Sequence, residues 1–109
     1  MNHSVREENG ALIVSLAGDV DLESSPRARS VLLECVGQKQ PVFVDMSEIH
    51  YIDSSGVASL VESFQSARKA GGRFALVAVS DTALRVLQLA RLDKVFPIFP
   101  TVEDALKNG

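Results

Sequence analysis

Apolar and polar positions change their spacing along this chain, and each change marks an element. The run Ala11–Ala17 follows Asn9-Gly10, with the strand-like segment Ser4–Glu8 before it. An Asn-Gly pair between two such segments predicts a β-hairpin. Gly18 is expected to end the second strand, with Asp19-Val20-Asp21 as a polar loop. Ser25-Pro26 reads as a helix start, with Ser25 as N-cap and Pro26 at the first helical position. The helix places Ala28, Val31, Leu32, Cys35 and Val36 on one face at helical spacing, and Gly37 stops it.

Val42–Met46 is a short apolar run after Pro41 and predicts a buried central strand, with Ser47–Ile52 as a connection. A second helix is expected from about Ser54 to Ala70. Its inward stripe is Val57, Leu60, Val61, Phe64 and Ala67; Ser59, Glu62, Ser63, Ser66 and Lys69 form the outward face. Gly71-Gly72 supplies its stop. Phe74–Val79 predicts another buried strand, and Ser80 caps a third helix over roughly Asp81–Ala90, paced by Leu84 and Leu87. Ile98-Phe99, bracketed by Pro97 and Pro100, fits a short edge strand. Thr101-Val102-Glu103-Asp104 resembles a capping box with Asp for Glu and opens a last helix ending near Lys107. A strand-helix alternation after a hairpin implies an α/β fold with a mixed β-sheet of about four to five strands, parallel crossovers and about four α-helices.

The composition adds limits. The 109 residues suit a single domain with one core, and 46% hydrophobic with 23% charged residues is a globular balance. A net charge of −3 and the lack of a basic stripe argue against nucleic acid as a partner. Cys35 is the only cysteine. A lone thiol with no apolar leader segment points to a reducing compartment, the cytosol. No apolar run reaches the ~20 residues of a membrane-spanning helix. Two distant histidines, His3 and His50, do not make a metal site, and no phosphate-binding G-x-x-x-x-G-K-[ST] loop is present. No cofactor is expected.

The candidate chemistry sits at Asp53-Ser54-Ser55-Gly56, just past a central strand and at a helix N-terminus, where open α/β sheets place their ligands and partners. One reading makes Asp53 an ordinary N-cap. That leaves Ser54 at the first helical position, with a hydroxyl not needed for capping. Gly56 then falls in the first turn, where it costs about 1 kcal/mol relative to Ala, and is expected there because another backbone comes close, that of a partner. A phosphate on Ser54 would meet free N–H groups and the positive end of the helix dipole, with Asp53 opposing it.

The residues Tyr51-Ile52-Asp53-Ser54-Ser55-Gly56-Val57 after Val42-Phe43-Val44-Asp45-Met46, together with Leu16-Ala17-Gly18-Asp19-Val20-Asp21 and Gly71-Gly72-Arg73-Phe74-Ala75-Leu76-Val77, resemble a STAS domain of the anti-sigma-factor antagonist family. The resemblance covers nearly the whole chain and implies a single STAS domain over 1–109. It implies partner switching: the unphosphorylated antagonist binds an anti-sigma factor that is also a serine kinase, the kinase phosphorylates the first serine after the aspartate, here Ser54, and a serine phosphatase restores the binding form. It also implicates Asp19 and Asp21, giving a partner-binding set of Asp19, Asp21, Asp53, Ser54, Ser55 and Gly56. Asp19 and Asp21 have no evident intrachain partner in the sequence. One departure stands out: many switching antagonists carry Gly-Leu-Gly after the serines, and this chain has Gly56-Val57-Ala58.

A second reading keeps the fold and changes the partner. Free-standing STAS domains resembling this one also serve as cytoplasmic subunits of lipid-transport ABC transporters, docking on the permease or ATPase, and the Ser59, Glu62, Ser63, Ser66 face would suit either partner. A third reading, a hydrolase using Ser54 or Ser55 with His50, lacks the G-x-S-x-G elbow. The expectation is therefore a binding protein and not an enzyme, with Cys35 a buried packing residue.

Overall fold

Asn9 and Gly10 adopt φ values of 50° and 83°, the pair of left-handed conformations that a two-residue hairpin turn requires. They join β1 (Asn2–Glu8) to β2 (Ala11–Val20) in antiparallel register, with Glu8 opposite Ala11 and Val5 opposite Val14. A computed structural model describes residues 1–108. The remaining elements are α1 (Ser25–Val36), β3 (Val42–Ile52), α2 (Ser54–Lys69), β4 (Phe74–Val77), α3 (Asp81–Leu89), β5 (Ile98–Phe99) and α4 (Val102–Lys107).

The strands lie in the order β1-β2-β3-β4-β5, and β2 through β5 are parallel. Three successive crossovers stepping in one direction with one hand place α1, α2 and α3 on the same face of the sheet. The side chains agree. Leu12, Val14 and Leu16 of β2, Val42, Val44 and Met46 of β3, and Phe74 and Leu76 of β4 pack in one cluster with Leu32, Leu60, Phe64 and Leu87 of the helices. The alternate residues Ala11, Ile13, Phe43, Ala75 and Val77 face the other way, under α4 through Ala105, with Val102 and Leu106 beside it. Burial on both faces explains why these strands read as unbroken apolar runs. The Arg73 guanidinium lies 4.9 Å from the Phe43 ring centre and 5.6 Å from that of Phe99, extending the cover of α4.

Four expectations are corrected. The second strand does not end at Gly18: it bends there, with a positive φ of 88°, and continues to Val20. Ser47–Ile52 is not a connection but the second half of β3. Register shifts in the β2–β3 pairing between Ser15 and Ala17 and between Gly18 and Asp19 break the period-2 pattern, so Met46, Ile49 and Ile52 are the buried positions, three residues apart. The third central strand stops at Val77, because Ala78 takes a left-handed φ of 51°. In α1 the N-cap is Ser24, and Pro26 is second in the helix.

The outward face assigned to α2 is also half wrong. Ser59 and Ser63 are buried against α1. The Ser59 hydroxyl lies 3.2 Å from the Ser25 carbonyl and 3.1 Å from that of Ser55, and the Ser63 hydroxyl donates to the Ser59 carbonyl at 2.8 Å. Small side chains that satisfy their own hydroxyls on helix carbonyls let the two helices pack closely. At the rim of this contact, Arg29 and Glu62 form a two-pronged ion pair at 2.6 and 2.8 Å, half exposed and so worth little to stability. Ser63→Leu should lose about 1–3 kcal/mol in chemical denaturation through overpacking, whereas Gln65→Leu on the exposed face should change stability by less than about 0.5 kcal/mol. Equal effects would show that α1 does not cover Ser63.

Candidate functional site

Gly56 decides where α2 begins. A β-carbon at this position would sit 2.7 Å from the Val20 carbonyl oxygen, 2.7 Å from Ile52 Cγ1 and 2.9 Å from Val20 Cγ1. The backbone that comes close to Gly56 therefore belongs to the end of β2 in the same chain, not to a partner as the sequence suggested. The contact is reinforced by the Asp53 N–H, which donates to the Val20 carbonyl at 3.3 Å. The first turn of α2 is thus seated on the end of the sheet.

Asp53 is the N-cap, as expected. Its Oδ1 accepts the peptide N–H groups of Ser55 at 3.0 Å and Gly56 at 3.2 Å, and the Ser55 hydroxyl at 2.5 Å. The two serines consequently differ. Ser55 is partly buried with its hydroxyl committed to Asp53. Ser54 is exposed at the first helical position, and among the described residues its hydroxyl makes no hydrogen bond.

The loop between β2 and α1 stands beside this turn. Asp21 has intrachain partners after all: its Oδ1 accepts the N–H groups of Ser24 at 3.0 Å and Glu23 at 3.1 Å, and the Ser25 N–H donates to its carbonyl at 2.8 Å. The Ser24 hydroxyl accepts the Asp21 N–H at 3.0 Å and lies 3.0 Å from the Asp19 carbonyl and 3.1 Å from Asp21 Oδ1. Ser24, unremarked in the sequence, is the residue that closes this loop; a Ser three places after an Asp was its only signal. Asp21 and Asp53 share one shallow depression with Leu22 and Glu23. Asp19 is exposed and lines a second depression with Met1, Ser24 and Arg27, which Asp21 and Glu23 also border. Asp21 and Glu23 thus border both depressions, Asp53 lining one and Asp19 the other.

These contacts lower both carboxyl pKa values below the ordinary 3.8. For Asp53 the Ser55 hydroxyl is the largest cause; the N–H groups of Gly56, Ser55 and, last, Leu22 add to it against partial burial. For Asp21 the Ser24 N–H leads, followed by the Ser24 hydroxyl, while burial and the Asp53 charge pull the other way. Elsewhere, burial pushes the Cys35 thiol up, with the Glu34 charge adding to it, as suits a packing residue. His50 is exposed and makes no hydrogen bond to either serine among the described residues. Among the described residues no group of three or more His, Cys, Asp or Glu is placed to hold a metal ion, and no helix is long and apolar enough to cross a membrane.

The family model of the STAS domain matches residues 2–105. The chain belongs to the STAS domain family. The anti-sigma-B factor antagonist of Bacillus subtilis (strain 168) is 26% identical to it over 98 residues, 90% of this chain and 90% of that protein. The crystal structure of an anti-sigma factor antagonist from Mycobacterium paratuberculosis, 29% identical, superimposes with a TM-score of 0.88 over 98% of this chain and 92% of that one. SpoIIAA of Bacillus shares the fold at 19% identity, with a TM-score of 0.81 in its unphosphorylated form (98% and 95% covered) and 0.75 in its phosphorylated form (98% and 98%).

Two outcomes follow for this STAS domain. Gly56→Ala should lose about 1–3 kcal/mol, because the added carbon meets a backbone oxygen that cannot turn aside, and this should exceed the gain of up to ~1 kcal/mol that Ala brings to a helix. A variant as stable as the unmodified chain would contradict the close approach. The second concerns acid. Because Asp53 and Asp21 titrate below 3.8 when folded, the unfolded chain binds more protons as the pH drops. Their contribution to stability is complete above the unfolded-state value and is lost as the pH falls through the folded-state values. Asp53→Asn keeps a capping oxygen but does not titrate, so denaturation curves taken from neutral pH to about pH 2 should show a smaller acid loss for that variant. Identical pH profiles would contradict the role given to the Asp53 carboxylate.

Proposed function

We propose that this STAS domain is an anti-sigma-factor antagonist that works by phosphorylation-controlled partner switching, with Ser54 as the phosphoacceptor. In this reading it binds an anti-sigma factor with serine-kinase activity while Ser54 is unmodified, and a serine phosphatase restores that state. Asp19, Asp21, Asp53, Ser54, Ser55 and Gly56 belong to the partner-binding region in different capacities: Asp53, Ser55 and Gly56 hold the turn in place, and Asp21 holds the adjoining loop. One observation carries the choice of serine. The Ser54 hydroxyl is exposed and, among the described residues, unbonded, whereas that of Ser55 is committed to Asp53.

The physics of the switch follows from the cap. The N–H groups of Ser55 and Gly56 already serve Asp53, so a phosphate on Ser54 gains less from the helix N-terminus than an open terminus would give. Its charge of about −1.5 to −2 stands beside the Asp53 carboxylate. Attraction to the dipole and repulsion from Asp53 oppose each other, so the fold is little affected. The surface, in contrast, acquires a strongly hydrated dianion, and burying it against a partner carries a large desolvation cost. Partner release is thus a surface effect.

Incubation with a serine-kinase anti-sigma factor and ATP, followed by peptide mass spectrometry, should place phosphate on Ser54; phosphate on Ser55 alone would overturn the assignment. Ser54→Asp should shift stability by no more than about 1 kcal/mol and weaken binding to the anti-sigma factor by roughly two orders of magnitude, which corresponds to about 3 kcal/mol. If Ser54→Asp and Asp21→Ala both bind as tightly as the unmodified chain, this surface is not the switch, and docking on an ABC transporter permease or ATPase becomes the better account.

A further inference from the structure

Leu22 is 77% exposed, yet its position is closely fixed. The chain on either side of it is held by Asp21 accepting the Glu23 and Ser24 N–H groups, by the Ser25 N–H donating to the Asp21 carbonyl, and by the Ser24 hydroxyl near the Asp19 carbonyl. The Val20 side chain two residues earlier is buried, so the backbone enters the loop from a rigid strand end. A large apolar side chain held outward on a fixed loop is not accounted for by the fold, which gains no burial from it.

Its surroundings define what could cover it. Asp21, Glu23 and Asp53 line the same depression as Leu22. Leu22 thus adjoins Asp53, with the Asp21 and Glu23 carboxylates on either side of it in sequence. We propose that Leu22 is the apolar anchor of the switch surface, and that it seats in an apolar pocket on the partner protein rimmed by Arg or Lys.

The inference rests on the proposed function and specifies what the partner must present. An apolar centre ringed by charge is the anatomy of a protein interface, and an anchor held in its bound position forfeits little entropy on docking. The acidic rim favours a basic protein surface over an anionic lipid headgroup, which it would repel. It also explains why a phosphate on Ser54 is effective: Ser54 adjoins Asp53, and a hydrated dianion at the rim keeps water where the anchor needs a dry seat.

The test is a binding titration against a purified serine-kinase anti-sigma factor with Mg²⁺ and ATP, using the full chain. Leu22→Ala should weaken binding by about tenfold or more, raise KM for Ser54 phosphorylation with little change in kcat, and leave the thermal midpoint unaltered, because the side chain is not part of the core. Leu89→Ala, equally exposed at 81% but at the far end of α3, should bind like the unmodified chain. Tight binding by the unmodified chain and by Leu22→Ala alike would overturn this inference and leave the proposed function standing. No binding by the unmodified chain would overturn both. Association with phosphatidylglycerol vesicles that Leu22→Ala abolishes would overturn it in favour of lipid.

Discussion

The contact between Gly56 and the Val20 carbonyl is the constraint on which the rest of the Asp53–Gly56 turn and the adjoining loop depends. With 2.7 Å between that oxygen and the place a β-carbon would occupy, α2 can start here only if its third residue is glycine. Once it does, the Asp53 N–H meets the Val20 carbonyl, Asp53 is fixed as the cap, and the loop leaving β2 is brought alongside. The arrangement converts one missing side chain into the geometry of two loops. It also sets the last residues of β2 and β3, Val20 and Ile52, as a buried platform beneath the turn.

From that platform the two adjacent serines take different roles. Asp53 holds the Ser55 hydroxyl and two peptide N–H groups, which satisfies two of the unpaired donors at the start of the helix. Ser54 is left as a hydroxyl outside the hydrogen-bond network. A covalent change there can alter charge and hydration at the surface without breaking any bond that supports the fold. Modification of Ser55, in contrast, would remove the strongest contact of the cap. A phosphorylation site needs this separation if the modified protein is to remain folded and be restored.

Much of the fold was legible in the chain. Asn9-Gly10, the continuous apolar runs Val42–Met46 and Phe74–Val79 (the latter strand ending at Val77), and the caps Asp53, Ser80 and Thr101 each follow from local chemistry, and local chemistry prevails where burial on both sheet faces or a helix N-terminus leaves few alternatives. The misses have a common cause in contacts between distant segments. Bulges in the β2–β3 pairing give buried residues three apart at Met46, Ile49 and Ile52, a spacing that hides a strand. Ser59 and Ser63 read as solvent-facing because serine is polar; that α1 covers them depends on the crossover geometry. At the site the motif itself was visible, but its internal logic was not. Gly56 was linked to a close backbone from its cost in a helix, and only the sheet end 36 residues earlier in sequence, at Val20, identifies that backbone. Asp21 looked free, and Ser24 drew no notice, because an Asp-to-backbone turn has many sequence equivalents that never form.

In the function we propose, phosphorylation of Ser54 would change the surface and leave the fold and the Asp53 cap in place. Backbone amide NMR spectra of the unmodified chain and the chain phosphorylated on Ser54 test it most directly. Chemical-shift changes should be confined to the loop Asp19–Ser24 and the turn Ile52–Ala58, and the Ser55 and Gly56 amides should remain protected from exchange. Changes spreading into β4, α3 or the α1–α2 contact, or loss of protection at Ser55 and Gly56, would contradict the account.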